Sequence, residues 1–200
     1  GDHRDLHYPL RRQRQMCIRD SPNVFECKAI VFEGPEDYHK RLNDKKLKVN
    51  ENSILIIRGC GPVGYPGSAE VVNMQPPDRL LKKGIRHLPT LGDGRQSGTS
   101  ESPSILHVSP ESAVGGDLGI VKTYDKIKID LNKRRVDLLI SQAEFKKRRK
   151  NKKVFKPNNQ TPWQEIFRNT VGQLDDGACI NSRGKYLDVS HTKGLPRDSH

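Results

Sequence analysis

The chain has 200 residues, 32% of them apolar and 30% charged, with a formal net charge of +12. That composition suits one domain with one modest core, plus segments that stay solvated or lie under a partner. No run of about 18 apolar residues occurs, so no stretch qualifies as a membrane-spanning helix, and the amino-terminal residues lack the apolar stretch of a secretory signal.

Four cysteines are present: Cys17, Cys27, Cys60 and Cys179. None forms a C-x-x-C pair, and their spacing fits neither a zinc site nor a compact disulfide framework. They read as free thiols in a reducing compartment, with Cys27 and Cys60 buried, and a cytoplasmic location is expected.

Residues 1–21 are rich in arginine, follow no period of 2 or 3.6, and contain the string Gln15-Met16-Cys17-Ile18-Arg19-Asp20-Ser21, which resembles translated adapter sequence. They are expected to be non-native or disordered, the alternative being a basic arm. Residues 22–145 are expected to form the folded domain, and residues 146–200 a basic linker and a tail that packs on the domain or on a neighbouring subunit.

The residues from Phe25 to Phe32 predict a strand. Pro35, followed by Glu36 and Asp37, predicts a short helix opening after Gly34, because proline and acids suit a first helical turn. Residues 53–58 contain four consecutive apolar side chains, three of them β-branched, and predict a buried strand that runs into Gly59-Cys60-Gly61-Pro62. Residues 76–84 predict a short helix stopped by Gly84. Residues 86–91 predict a second strand leading into a glycine-rich loop. Ser109 and Pro110 predict an N-cap and first position of a single-turn helix, broken by Gly115-Gly116. Three strands are then expected, at 118–123, 126–131 and 134–140, with turns at Tyr124-Asp125 and Asn132-Lys133. Ser141 and Glu144 fit a capping box, and Thr161-Pro162 starts a last helix by the same logic, with Trp163, Ile166 and Phe167 on one face.

The positive charge is concentrated in Arg11-Arg12-Gln13-Arg14 and in residues 146–153, which are basic except for Asn151. Neither block interleaves aromatic residues as a base-stacking surface would. A solvated face or linker explains such runs, and no specific nucleic-acid partner is expected. The rival reading, a stand-alone basic module that binds nucleic acid through residues 146–153, predicts affinity falling steeply with salt.

The most distinctive stretch is Gly92-Asp93-Gly94-Arg95-Gln96-Ser97-Gly98-Thr99-Ser100. It holds no large apolar side chain. Read from its residues alone, it is either a surface turn or a loop whose backbone approaches a polar ligand closely. Together with residues 61–70, which end in Glu70, and with residues 107–116, it closely resembles the C-terminal domain of the dihydroxy-acid dehydratase / 6-phosphogluconate dehydratase family. Within that family it looks most like the sugar-acid branch, the D-xylonate and related aldonate dehydratases. The resemblance extends over residues 24–200 and includes the end, Pro196-Arg197-Asp198-Ser199-His200.

The resemblance implies an α/β fold: a compact β-barrel-like domain with flanking helices, and an extended helical or irregular C-terminal tail. It implies a hydro-lyase, a dehydratase converting a 2,3-dihydroxy sugar acid to a 2-keto-3-deoxy acid, with gluconate, arabinonate or a branched-chain amino-acid precursor as alternative substrates. By that resemblance Ser97 is the base, Glu70 a Mg²⁺ ligand, and Thr99 and His200 substrate-binding residues. Arg95 either meets the substrate carboxylate or pairs with Asp93. His107 reads as a packed or hydrogen-bonded histidine rather than a ligand. The family's [2Fe–2S] cluster is held by cysteines of an N-terminal domain whose motifs are not in these 200 residues. This chain alone is therefore expected to be inactive, with that N-terminal domain and further copies of the enzyme as its partners.

Overall fold

The computed structural model describes residues 23–67, 73–96, 104–152 and 155–180. Its centre is a six-stranded mixed sheet: β1 (Val24–Phe32), β2 (Ser53–Ile57), β3 (Thr90–Gly92), β4 (Ser104–Ile105), β5 (Lys126–Asp130) and β6 (Arg135–Leu138), in the order β4-β3-β2-β1-β5-β6. The strands β1 to β4 pair in parallel, and β5 and β6 add antiparallel beside β1. The sheet's two ends, β4 and β6, are not paired with each other, so the expected barrel is present as a half-barrel.

The sheet has an apolar layer on each face, which is why β2 reads as an unbroken apolar run. One layer gathers Ile30, Phe32, Leu55 and Ile57 under Tyr38, Leu47, Met74, Leu80 and Leu88. The other gathers Ala29, Val31, Ile54, Ile56, Ile127 and Ile129 under Leu118 and Val121. Each fully buried Ile or Leu of β2 contributes on the order of 2 kcal/mol.

Among the described residues four helices flank the sheet: α1 (Pro35–Arg41), α2 (Asp78–Leu81), α3 (Gln142–Lys150) and α4 (Pro162–Thr170). Their starts follow the capping logic of the sequence. Pro35 stands in the first turn of α1, the Ser141 side chain accepts from the Glu144 amide, and that of Thr161 from the Gln164 amide. On α4, Trp163 and Ile166 are exposed.

Three local expectations are corrected. Residues 118–123 do not form a strand: Asp117–Ile120 is a 3-10 turn. Arg58 Nη1 donates to the carbonyls of Leu118, Gly119 and Val121 at 3.2, 3.0 and 2.9 Å, which holds the chain in a tight turn and occupies oxygens that a ladder would use. The Ser109-Pro110 helix start is also displaced. The 3-10 turn is Ser112–Val114, with Glu111 at the N-cap position but no side-chain cap bond, while the Ser109 hydroxyl donates to Asp175. The strand expected at 86–91 is confined to Thr90–Gly92, because Pro89 has no N–H to give and only its carbonyl pairs, with Leu55 N.

Residues 146–150 of the basic run form the second half of α3, and one of their charges is structural. The Arg148 guanidinium donates to Asp125 Oδ2 at 2.5 Å, to Asp125 Oδ1 at 3.0 Å and to Glu144 at 2.7 Å. Arg148 and Asp125 side chains are each only 11% exposed. Arg148→Ala is expected to cost about 2–3 kcal/mol in urea unfolding, because it removes the cation facing the Asp125 carboxylate and leaves that charge only the Lys122 amide. Lys146→Ala on the same helix should change stability by less than about 0.5 kcal/mol.

Candidate active-site loops

The parallel strands β1, β2 and β3 end side by side, with Phe32 opposite Ile57 and Ile57 opposite Gly92. In open α/β sheets the crevice beyond the carboxyl ends of the strands is where ligands bind. Here that edge carries residues 58–67 after β2 and residues 93–96 after β3. Segment 107–116 lies against it, with Val108 N donating to Gly92 O and His107 N to Gly94 O.

Two buried carboxylates tie these segments together. Asp93 is 0% exposed. Its Oδ1 accepts from Cys60 N at 2.9 Å, and its Oδ2 accepts from Gly59 N at 3.0 Å, Ser112 N at 2.9 Å and Ser112 Oγ at 2.5 Å. Glu111 is likewise 0% exposed. It accepts from the amides of Val63 and Gly64, each at 2.8 Å, and from Gln173 Nε2 at 2.9 Å, while Gln173 Oε1 accepts from Glu111 N at 2.9 Å. Arg168 of α4 donates to Val63 O at 2.8 Å. Every acceptor and donor in this set is matched, which is what burying two charges requires.

Glycines make the close approach possible. A Cβ on Gly61 would stand 2.4 Å from the Glu111 carboxylate, and one on Gly64 would stand 2.6 Å from Gly59 O. Inside the β3 loop, Gln96 is buried and its Oε1 accepts from Thr90 Oγ1 at 3.1 Å, anchoring the residue just before Ser97.

Of the residues singled out in the sequence, Ser97, Thr99, Glu70 and His200 lie outside the described residues. Arg95 is exposed. No hydrogen bond or ion pair joins it to Asp93 among the described residues: Asp93 is buried and turned to residues 59, 60 and 112. His107 is exposed with a left-handed φ of 59°, so its imidazole is not packed, although its backbone amide is bonded. Partial desolvation, with the positive charge of Arg95, holds its pKa below the ordinary value. Cys60 is buried, and burial, with the charges of Asp93, Glu36 and Glu111, pushes its thiol far up, so it is an inert protonated thiol. Sequence reasoning gave no role to Glu111, Ser112, Arg168 or Gln173. The signal available for the first two was their place inside segment 107–116.

The residues present can be weighed against the metal groups the resemblance implies. Cys27 and Cys60 sit in the two opposite apolar layers and Cys179 is exposed, so the described cysteines do not converge as cluster ligands. Among the described residues no three His, Cys, Asp or Glu side chains come together as a metal site. Asp93 accepts four hydrogen bonds and Glu111 three from groups of this chain. An iron–sulfur cluster therefore does not fit the described residues.

A model described as the dihydroxy-acid/6-phosphogluconate dehydratase C-terminal domain matches residues 14–178. The chain belongs to this dehydratase family. It is 54% identical to a D-xylonate dehydratase of Caulobacter vibrioides over 94% of this chain and 31% of that protein. An L-arabinonate dehydratase of Rhizobium leguminosarum is 38% identical over 88% of this chain and 30% of its own length. A dihydroxy-acid dehydratase of Thermodesulfovibrio yellowstonii is 37% identical over 84% and 30%. The chain thus spans about a third of the length of these family members, and the described parts of the segments that carried the resemblance (61–67 of 61–70, 92–96 of 92–100, and 107–116) are those that Asp93 and Glu111 bind into one body. No helix among the described residues is long and apolar enough to cross a membrane.

Proposed function

We propose that this chain is the C-terminal part of a cytoplasmic aldonate dehydratase of the D-xylonate type, which removes water from a 2,3-dihydroxy sugar acid to give a 2-keto-3-deoxy acid. The observation that carries this reading is the convergence of three loop segments at the carboxyl ends of β1–β3, in a chain 54% identical to a D-xylonate dehydratase. The lower identity to the L-arabinonate enzyme favours the xylonate side.

In this reading Ser97 Oγ takes the proton from C2. The C–H electron pair becomes the C2–C3 double bond, the C3–oxygen bond breaks, the leaving hydroxide departs as water after protonation, and the enol tautomerises to the keto acid. A serine hydroxyl is a weak base, so it must be held where donors stabilise its alkoxide. The Asp93 hub supports that role by fixing the loop's first turn, and Thr90 anchors Gln96 one residue away. Thr99, Arg95 and His200 bind the substrate, and Glu70 offers one hard carboxylate to Mg²⁺. When bound, Mg²⁺ would draw charge off the substrate carboxylate and an iron–sulfur cluster would accept the departing hydroxide. The cluster's ligands are assigned to the N-terminal domain, within a homo-oligomer.

Two assays test this together. These 200 residues alone, given D-xylonate and Mg²⁺, should release no 2-keto acid. In the complete enzyme carrying this domain, Ser97→Ala should lower kcat by about 10²- to 10⁴-fold with little change in KM, the size expected for a proton-transferring group. Turnover by the 200 residues alone, or a kcat unmoved by Ser97→Ala, would refute the assignment.

A further inference from the structure

A cleft of about 710 Å³ lies between α3 with its following residues and the Asp117–Ile120 turn. Its cationic lining comprises Arg58, Lys122, Lys147, Arg148, Lys152 and Lys156, against only two acids, Glu33 and Glu144. The arginines are already committed. Arg58 holds Glu33 and three backbone carbonyls, and Arg148 holds Asp125, Glu144 and Ile120 O. Both lining acids are therefore neutralised within the wall, and the surplus charge belongs to the lysines.

Among the described residues Lys122 stands 3.8 Å from Glu144 Oε1, and Lys152 feels the charge of Asp117. Lys152 Nζ donates to Gly116 O, and its stem is packed where a Cβ on Gly119 would fall. Burial, with Arg149 and Arg58 nearby, lowers its pKa, a cost that an anion in the cleft would relieve. Ile120, Val121 and Phe155 supply an apolar wall. The volume is in the range of small-ligand sites, roughly 300–1,000 Å³.

We propose that this cleft binds a small, multiply charged anion, either phosphate-bearing or polycarboxylate. A concave site with four lysines around a partly apolar floor matches such a ligand better than a nucleic-acid backbone, which needs cations spread along an open track. Two of the cleft's walls, Gly59 and Ser112, bond directly to Asp93, so an occupant would sit against the hub that holds the active-site loops. The proposal does not depend on the dehydratase reading, since it is tested by binding to the chain itself.

The test is isothermal titration of the 200-residue chain at low salt with pyrophosphate and, separately, with citrate. Saturable 1:1 binding of at least one is expected, weakened at least tenfold by Lys147→Glu combined with Lys156→Glu. The pair Lys146→Glu and Lys150→Glu makes the same charge change on residues outside the cleft and should leave affinity within about twofold. Unliganded thermal melts of both pairs should match the parent, confirming that they fold. Whether pyrophosphate or citrate binds more tightly identifies the ligand chemistry. The proposal is overturned if neither anion saturates, if the two charge-reversed pairs weaken binding equally, or if a DNA duplex binds more tightly and depends as strongly on Lys146 and Lys150.

Discussion

Asp93→Ala is expected to destabilise the domain by about 4–5 kcal/mol, read as a drop in the urea midpoint at unchanged slope. The four donors that meet this carboxylate come from residues 19 to 34 positions away. Each hydrogen bond to a buried charge is worth roughly 1.5–3 kcal/mol, and the contributions are not additive because the donors share one acceptor group. The loss is softened at one point: Gly59 N also donates to Ser112 Oγ at 2.9 Å, a bond that survives. Cys60 N and Ser112 N have no such reserve among the described contacts. Against a total of roughly 5–15 kcal/mol for a domain, this is a loss of about a quarter or more. Asp93→Asn keeps the shape but replaces one acceptor oxygen by a donor facing donors, so it should fall between, at about 2–3 kcal/mol. A loss below about 1 kcal/mol for the alanine variant would mean that the loops are held by other contacts.

The sheet was legible in the sequence because its signals are local. Four consecutive apolar residues at Ile54–Ile57 can be satisfied only by burial on both faces, and the caps at Ser141 and Thr161 act within three residues. The 118–123 segment misled for the opposite reason. Leu118 and Ile120 alternate with Gly119 and Val121 much as strand residues do, and what folds them into a 3-10 turn is Arg58, about sixty residues earlier. The site divides in the same way. A glycine-rich polar loop was visible, and resemblance named its companions. The use of Asp93 and Glu111 was hidden, because an acid in a polar loop looks solvated until its amide partners arrive, those of Glu111 from 47 and 48 residues away. Arg95 was misjudged as a candidate partner of Asp93 because nearness in sequence suggested a pair that the fold had assigned elsewhere.

Gly94→Ala should be nearly as damaging, at about 3–4 kcal/mol, and for a reason that separates two uses of glycine. A Cβ on Gly94 would stand 2.3 Å from Cys60 O and 2.7 Å from Cys60 Cβ. Backbone atoms cannot swing aside as a side-chain tip can, and Cys60 is further pinned by its amide bond to Asp93 and by complete burial. Relief must come from moving the whole β3 loop away from the β2 loop, which stretches the Asp93 contacts as well. Gly84 gives the contrast. It sits at φ 83° with nothing within 4 Å of a built Cβ, so Gly84→Ala meets only the left-handed backbone penalty, about 1–2 kcal/mol. If close approach is what Gly94 provides, the Gly94 variant must be the worse of the two in denaturant. In the complete enzyme it should also lower kcat, because Ser97 lies three residues further along the displaced loop. Equal losses for the two variants would show that Gly94 serves only backbone conformation, and the tight seam between the two loops would then have no part in positioning Ser97.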